Sequence, residues 1–245
     1  SPSINIIRDL NKNLEYIPTP NAKQVYTHIA KNYMTGIHSF NIVGSYGTGK
    51  SSFLLALEHH LNREREYFSP LNGRLKSVKG FEFLPIVGEA TSLLNYFAIE
   101  FGLENKDYST RDIFKRIELA YTEISKLGKG WLIVIDEFGK FLEYAANNNP
   151  EKELYFIQQL AEFVNDDSKN ILFVTTLHQG FNDYAIGLSK TQRNEWDKVR
   201  GRLKEITFNE PVEQLLLLAA ERISSGQGGI KKSSTFDQLF DSIAR

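Results

Sequence analysis

The 245-residue sequence predicts an α/β fold, a mostly parallel sheet covered by helices on both faces, and three observations carry that prediction. Helix-spaced and strand-like apolar patterns take turns along the chain. Two short runs, WLIVID and ILFVTT, are apolar on both faces, as strands inside a parallel sheet are. A third strand-like run, FNIV, passes through a glycine-rich segment directly into a helical pattern.

Taken in order, AKQVYTHIAKNYM after Asn21 spaces Val25, Ile29 and Met34 at helical intervals, and HSFNIV then contracts to a compact apolar run. A helix is therefore followed by a strand. From Lys50, SSFLLALEHHL resumes helical spacing with Phe53, Leu54 and Leu57 on one side. The polar, basic stretch NREREYFSPLNGRLKSVKG, with Pro70 and Gly73, reads as a loop or small insertion. FEFLPIV is strand-like, and Pro85, which has no N–H for a ladder, argues for an edge position or an early end to pairing. Helical patterns return at TSLLNYFAIEFGL and at RDIFKRIELAYTEISKL, the second with Ile113, Ile117, Ala120, Tyr121 and Ile124 on one face. The strand WLIVID follows, and a helix over EKELYFIQQLAEFVN leads to the strand ILFVTT. The polar helical stretch KTQRNEWDKVRGR precedes a short strand, EITF, and PVEQLLLLAAERI starts a new helix with proline in its first turn.

Composition bounds the function. With 41% hydrophobic and 12% aromatic residues the chain can fill one sizeable core. Lys+Arg 29 against Asp+Glu 30 leaves a formal net charge of -1, so no global basic field announces a nucleic-acid binder. The absence of cysteine excludes disulfides and thiolate metal sites. No apolar run approaches membrane-spanning length and the N-terminus lacks a signal-peptide layout, so a cytoplasmic protein with no membrane partner is expected. The chain opens at Ser and ends at DSIAR within a helical pattern, which reads as part of a longer protein.

The motif that carries most chemistry is GSYGTGKS, residues 44–51, between FNIV and SSFLLAL. Its glycine spacing followed by Lys and Ser, in a strand–loop–helix context, is that of a P-loop (Walker A). Gly44, Gly47 and Gly49 let the backbone around Ser45, Tyr46 and Thr48 bend so that N–H groups point at phosphate oxygens, and the positive end of the following helix, with Ser52 in its first turn, adds to the attraction. Lys50 can neutralise the β- and γ-phosphates of ATP, and the Ser51 hydroxyl can ligate Mg2+. A glycine-rich turn matching by accident is the plainer alternative, and the flanking strand and helix argue against it.

In WLIVIDEFGK an apolar strand delivers Asp136 and Glu137 at its end, as in a Walker B element: the first acid holds magnesium and the second polarises the attacking water. An acidic pair after a strand also commonly opens a loop. The upstream P-loop and the intervening strand FEFLPIV favour the catalytic reading and the additional-strand, catalytic-glutamate class, with a three-layer P-loop NTPase fold and strand order 5-1-4-3-2.

The order GSYGTGKSS, LIVIDEFGK, ILFVTTLHQ, KVRGRLKEITFNEPVEQLLLL resembles the AAA+ ATPase core, above all its origin-recognition and initiator branch and related large bacterial ATP-binding proteins. The resemblance implies an ATPase with ATP and Mg2+ as ligands, residues 1–210 as the core and residues 211–245 as the truncated beginning of a helical lid. It implies a sensor at the end of the strand after Walker B, where Thr176 stands; His178, just beyond, fits a structural loop histidine as well as a functional one. It puts Tyr16, Ile17 and Pro18 of EYIPTP near the adenine, although an aromatic and two prolines before a helix also make an ordinary lead-in. Arg202, just before the last strand, corresponds to a finger acting on a neighbouring subunit's ATP, with Arg193 and Arg200 as alternatives; paired helix charges are the competing reading. Arg222 is not assigned as the lid sensor. A homo-oligomer or partner subunit follows for the full-length protein.

Three functions stand beside one another: an ATPase motor or switch within a larger protein acting on DNA or in defence, a slow signalling ATPase serving as an assembly switch, and a small-molecule kinase. Glu137 directly after Asp136 counts against the kinase. Residues 62–80 carry Arg63, Arg65, Arg74, Lys76 and Lys79 with Tyr67 and Phe68 between them. They suit a phosphate-contacting loop for nucleic acid, but Glu64 and Glu66 dilute the charge and favour a solvated insertion.

Overall fold

The computed structural model describes residues 4–103 and 107–210. The chain divides into two units between Asn209 and Glu210. The expected start of the lid, with Arg222, lies outside the described residues.

Five strands, β1 (Ser39–Val43), β2 (Phe81–Val87), β3 (Gly130–Asp136), β4 (Ile171–Leu177) and β5 (Lys204–Thr207), form one sheet in the order β2-β3-β4-β1-β5. Every pairing is parallel. Read from the other edge, this is the expected 5-1-4-3-2. β2 is an edge strand, which is where Pro85 can sit without leaving an inner ladder short of a donor.

Strict alternation along the central strands feeds two separate cores. In β3, Trp131, Ile133 and Ile135 join a cluster with Phe97, Ile117, Phe156 and Trp196, while Leu132 and Val134 join Tyr26, Ile29, Phe53 and Leu57 on the other face. Helices α1 (Pro20–Tyr33) and α2 (Lys50–Leu61) supply the second cluster. The first is built from α4 (Leu93–Glu100), α5 (Thr110–Lys126), α6 (Gly139–Asn147), α7 (Pro150–Val164) and α8 (Lys190–Arg202). The result is three layers. Local chemistry fixes the helix starts: Thr19 accepts from the Ala22 N–H with Pro20 in the first turn, and Ser109–Asp112 and Ser189–Gln192 form reciprocal capping boxes.

The structure differs from the sequence expectation in three places. Met34 caps α1 and is 43% exposed instead of continuing its buried stripe. Burial on α2 runs around most of the helix, from Phe53 through Glu58, because the insertion closes over its outer side. That insertion holds the short helix α3 (Gly73–Ser77) and is packed, not solvated: Tyr67, Phe68, Leu75 and Val78 are all buried.

Candidate functional site

The strand registers bring the sequence motifs to one end of the sheet. Val43 lies beside both Leu177 and Thr207, and Val87 beside Asp136, so the segments after β1, β3 and β4 leave at the same carboxyl edge, where open parallel sheets bind ligands. β4 stands between the two motif strands.

The glycine loop is shaped by two different constraints. Gly44 is required for space, since a Cβ there would lie 2.2 Å from the Phe208 carbonyl oxygen. Gly47 and Gly49 are required for conformation: their φ values are 76° and 90°, and a Cβ would meet nothing within 4 Å. The space beside the loop is thus open at those two positions. Gly49 is the N-cap of α2, whose first turn contains Lys50, Ser51 and Ser52. Ser45, Tyr46 and Gly47 are exposed and the Thr48 hydroxyl donates to the Ser45 carbonyl at 2.9 Å.

Lys50 is 5% exposed, and its ammonium donates to the carbonyls of Gly44 and Ser45. Burial pushes its pKa down, against the pull of the Asp136 and Glu137 carboxylates. A buried cation beside two acids, with an open glycine cradle in front of it, fits a triphosphate and its metal ion: Lys50 for the phosphate, Ser51 and Asp136 for the ion.

Asp136 is buried, and Thr176 holds it. The fully buried Thr176 hydroxyl donates to Asp136 Oδ1 at 2.5 Å and accepts from the Glu137 N–H at 2.9 Å. The hydroxyl expected to act as a sensor is thus engaged with the acidic pair, with one acceptor lone pair left over. Glu137 adopts a left-handed φ of 56°, an unusual conformation for a side chain of its length, and its carboxylate pairs with Lys140.

The residue that faces Lys50 from β4 is His178. Its Nδ1 lies 3.4 Å from Lys50 Nζ, its ring stacks on Tyr46 with centroids 3.3 Å apart, and its Nε2 is buried without a hydrogen-bond partner among the described residues. Burial and the Lys50 charge push its pKa down, against the pull of the Glu137 and Asp136 carboxylates, and Lys50, which can only donate, makes Nδ1 the acceptor in their contact. Sequence reasoning left His178 open between a structural and a functional role. The signal available was its position two residues past Thr176. The Lys140 and Tyr46 contacts, and Gly88, whose Cβ would lie 2.0 Å from the Glu137 carbonyl oxygen, gave no sequence signal that was read.

Other expected residues lie elsewhere. Arg202 precedes β5, at the end of the sheet where Ser39 begins β1, and its guanidinium donates to Glu162 at 2.6 Å and to the Lys198 carbonyl. Arg200 lies 3.7 Å from Asp197, while Arg193 is exposed. Tyr16 packs edge-on against Tyr67, and Ile17 is exposed. In the basic stretch Arg63 donates to the carbonyls of Lys76 and Val78, Arg65 to Leu14, and Arg74 pairs with Asp167. With Tyr67 and Phe68 buried, that stretch offers no aromatic platform for bases. Among the described residues no helix is long and apolar enough to cross a membrane.

No family model matches the sequence, and no curated protein matches it. Solved structures do share the fold. The chain superposes on Aeropyrum pernix ORC2 in its ADPNP-ADP complexes with a TM-score of 0.53 at 14% identity, covering 89% of this chain and 55% of that one. AMPPCP-bound DnaA from Aquifex aeolicus gives 0.52 at 14% identity over 94% and 60%, and C. elegans PCH-2 gives 0.51 at 16% over 93% and 53%. The chain therefore spans between 53% and 60% of the length of these neighbours. The expected three-layer P-loop NTPase core, like that of ORC2 and DnaA, is the fold observed.

Proposed function

We propose that this chain binds ATP with Mg2+ and hydrolyses it. The observation that carries the reading is the meeting, at one edge of the sheet, of a glycine cradle with a buried lysine and an acidic pair whose geometry is fixed by Thr176. Two of the solved neighbours, ORC2 and DnaA, hold adenine nucleotides or their analogues, which supports the choice of ligand.

In this reading the backbone of Gly44, Ser45, Tyr46, Gly47, Thr48 and Gly49, with the first turn through Ser52, surrounds the phosphates, and Lys50 neutralises charge on the β- and γ-groups. Ser51 and Asp136 hold the magnesium, which when bound supplies charge neutralisation at the phosphate oxygens. Glu137 orients a water and accepts its proton as the water oxygen attacks the γ-phosphorus and the bond to the β-phosphate oxygen breaks. His178 stands beside Lys50 at this edge, with Nδ1 toward its ammonium. Thr176 positions the acids without touching the reacting atoms.

Glu137→Gln tests the assignment. It should leave ATP affinity near the parental value and slow turnover by about 10²- to 10⁴-fold, the usual contribution of a general base. Turnover at the parental rate would move the base to another residue.

A second reading, a slow assembly switch, is favoured by one contact, the ion pair of Glu137 with Lys140. A carboxylate engaged by the Lys140 ammonium must leave that pair before it can take up a water, and Lys140→Ala should then raise the basal rate. The kinase reading has no such support. A homo-oligomer or partner subunit belongs to the same proposal: for Arg202 to serve a neighbouring site it must leave Glu162, whereas exposed Arg193 needs no such exchange.

A further inference from the structure

A second cluster of ligating side chains lies at the other end of α2. The helix stops at Leu61, Asn62 follows, and Arg63 takes a left-handed φ of 60°, held by its guanidinium on the carbonyls of Lys76 and Val78. That turn sends the chain back over the helix. The Glu64 N–H donates to the His59 carbonyl at 2.9 Å, which sets the Glu64 carboxylate beside the His59 ring.

We propose that Glu58, His59 and Glu64 form a binding site for a zinc-class divalent cation, separate from the phosphate site. One ligand atom from each residue lies within 4.8 Å of the other two. His59 Nε2 is 3.4 Å from Glu58 Oε2 and 3.9 Å from Glu64 Oε2. Bonds of about 2.0–2.1 Å in a tetrahedron put ligand atoms about 3.4 Å apart, so of the three pairs His59–Glu58 already matches. The two pairs that include Glu64, at 3.9 Å to His59 and within 4.8 Å to Glu58, require that side chain to move inward, and it is 61% exposed.

A second observation points to a ligand. The Glu58 side chain is only 8% exposed, and its Oε2 has no hydrogen-bond partner among the described residues. Its other oxygen accepts from Asn62 Nδ2 at 2.8 Å, which aims Oε2 toward His59. A buried carboxylate oxygen without a donor is costly, and a cation bridging it to the imidazole removes that cost. Such an outer hydrogen bond is how ligating carboxylates are usually oriented. The carboxyl end of a helix favours positive charge, and one imidazole with two carboxylates leaves a fourth position for water. The cation would clip residues 62–80 onto α2. Glu58 is about 12 Å along the helix axis from Lys50, so the two sites are read independently.

The test is calorimetric titration of the metal-free chain with Zn2+, with Mg2+ as contrast, and melting with and without Zn2+. We expect Zn2+ to bind more tightly than Mg2+ and to raise the melting temperature. His59→Ala and Glu64→Gln should each weaken Zn2+ at least about tenfold and abolish the melting shift, while melting without metal stays at the parental value. Glu58→Gln, which keeps a partner for Asn62, should do the same to Zn2+ affinity. Absence of Zn2+ binding, or Zn2+ affinity unchanged in both His59→Ala and Glu64→Gln, overturns the site; neither result bears on ATP binding.

Discussion

Gly88→Ala probes how tightly the acidic pair is held. Gly88 follows β2 and its N–H donates to the Asp136 carbonyl at 2.7 Å. A Cβ on it would lie 2.0 Å from the Glu137 carbonyl oxygen, whereas ordinary contact begins at 3.4 Å, so the two must separate by 3.4 − 2.0 = 1.4 Å. The obstructing atom is backbone, in a residue already at φ 56°, and cannot swing aside like a side chain. Either Glu137 moves or β2 withdraws and loses its bond to Asp136. Overpacking of this kind costs about 1–3 kcal/mol, and misplacing a reacting group by about 1 Å costs about 100-fold in rate. The cradle lies beyond β4, on β1, so ATP affinity should stay near the parental value. Urea denaturation, ATP calorimetry and steady-state turnover on the same preparation separate the three effects. Parental turnover with parental stability would refute the reasoning, since the close approach would then carry no constraint.

Thr176→Val removes the hydroxyl that serves both Asp136 and the Glu137 N–H, and should lower stability by about 1–3 kcal/mol, read as a lower urea midpoint with unchanged slope, together with a slower turnover. Buried His38 and His60 have pKa values pushed below 6.5, chiefly by burial, so the unfolded chain takes up protons that the folded chain refuses. Their contribution is complete above about pH 6.5 and is lost as pH falls toward the depressed folded values, at up to about 1.4 kcal/mol per pH unit for each ring. Glu58, whose pKa burial raises, opposes the loss at the acid end. Urea midpoints at about pH 7.5 and about pH 5.5 should therefore fall in the parent and fall less in His38→Gln and His60→Gln.

The sheet was legible because β3 and β4 are short runs buried on both faces, as interior parallel strands are, and alternate with helical patterns. The glycine loop was legible because its chemistry is local, with every group within eight residues of sequence. The helix α6 leaves little mark in the sequence, since it opens on a glycine, Gly139, two residues past the acidic pair, and its large buried side chains, Phe141 and Leu142, are adjacent. The burial of Tyr67 and Phe68 has no sequence signature, because two aromatics in a charged stretch carry no periodicity. The contacts of Thr176 with Asp136 and of His178 with Lys50 exist because β4 meets β3 on one side and β1 on the other, which happens only in the folded sheet. Arg202 and Glu162 are likewise joined across forty residues of sequence.

The claim that residues 44–51 cradle the phosphates of ATP is tested most directly by titrating ATP with Mg2+ into the parent and into Lys50→Ala in a calorimeter. Lys50 is the one cation buried in the cradle among the described residues, and losing two charge-assisted hydrogen bonds should weaken binding by at least about 100-fold. Melting curves confirm that the variant is folded, since Lys50 also donates to the Gly44 and Ser45 carbonyls. Saturable heat in the parent and none in Lys50→Ala over the same range is the predicted result; equal ATP affinity in the two proteins would contradict it.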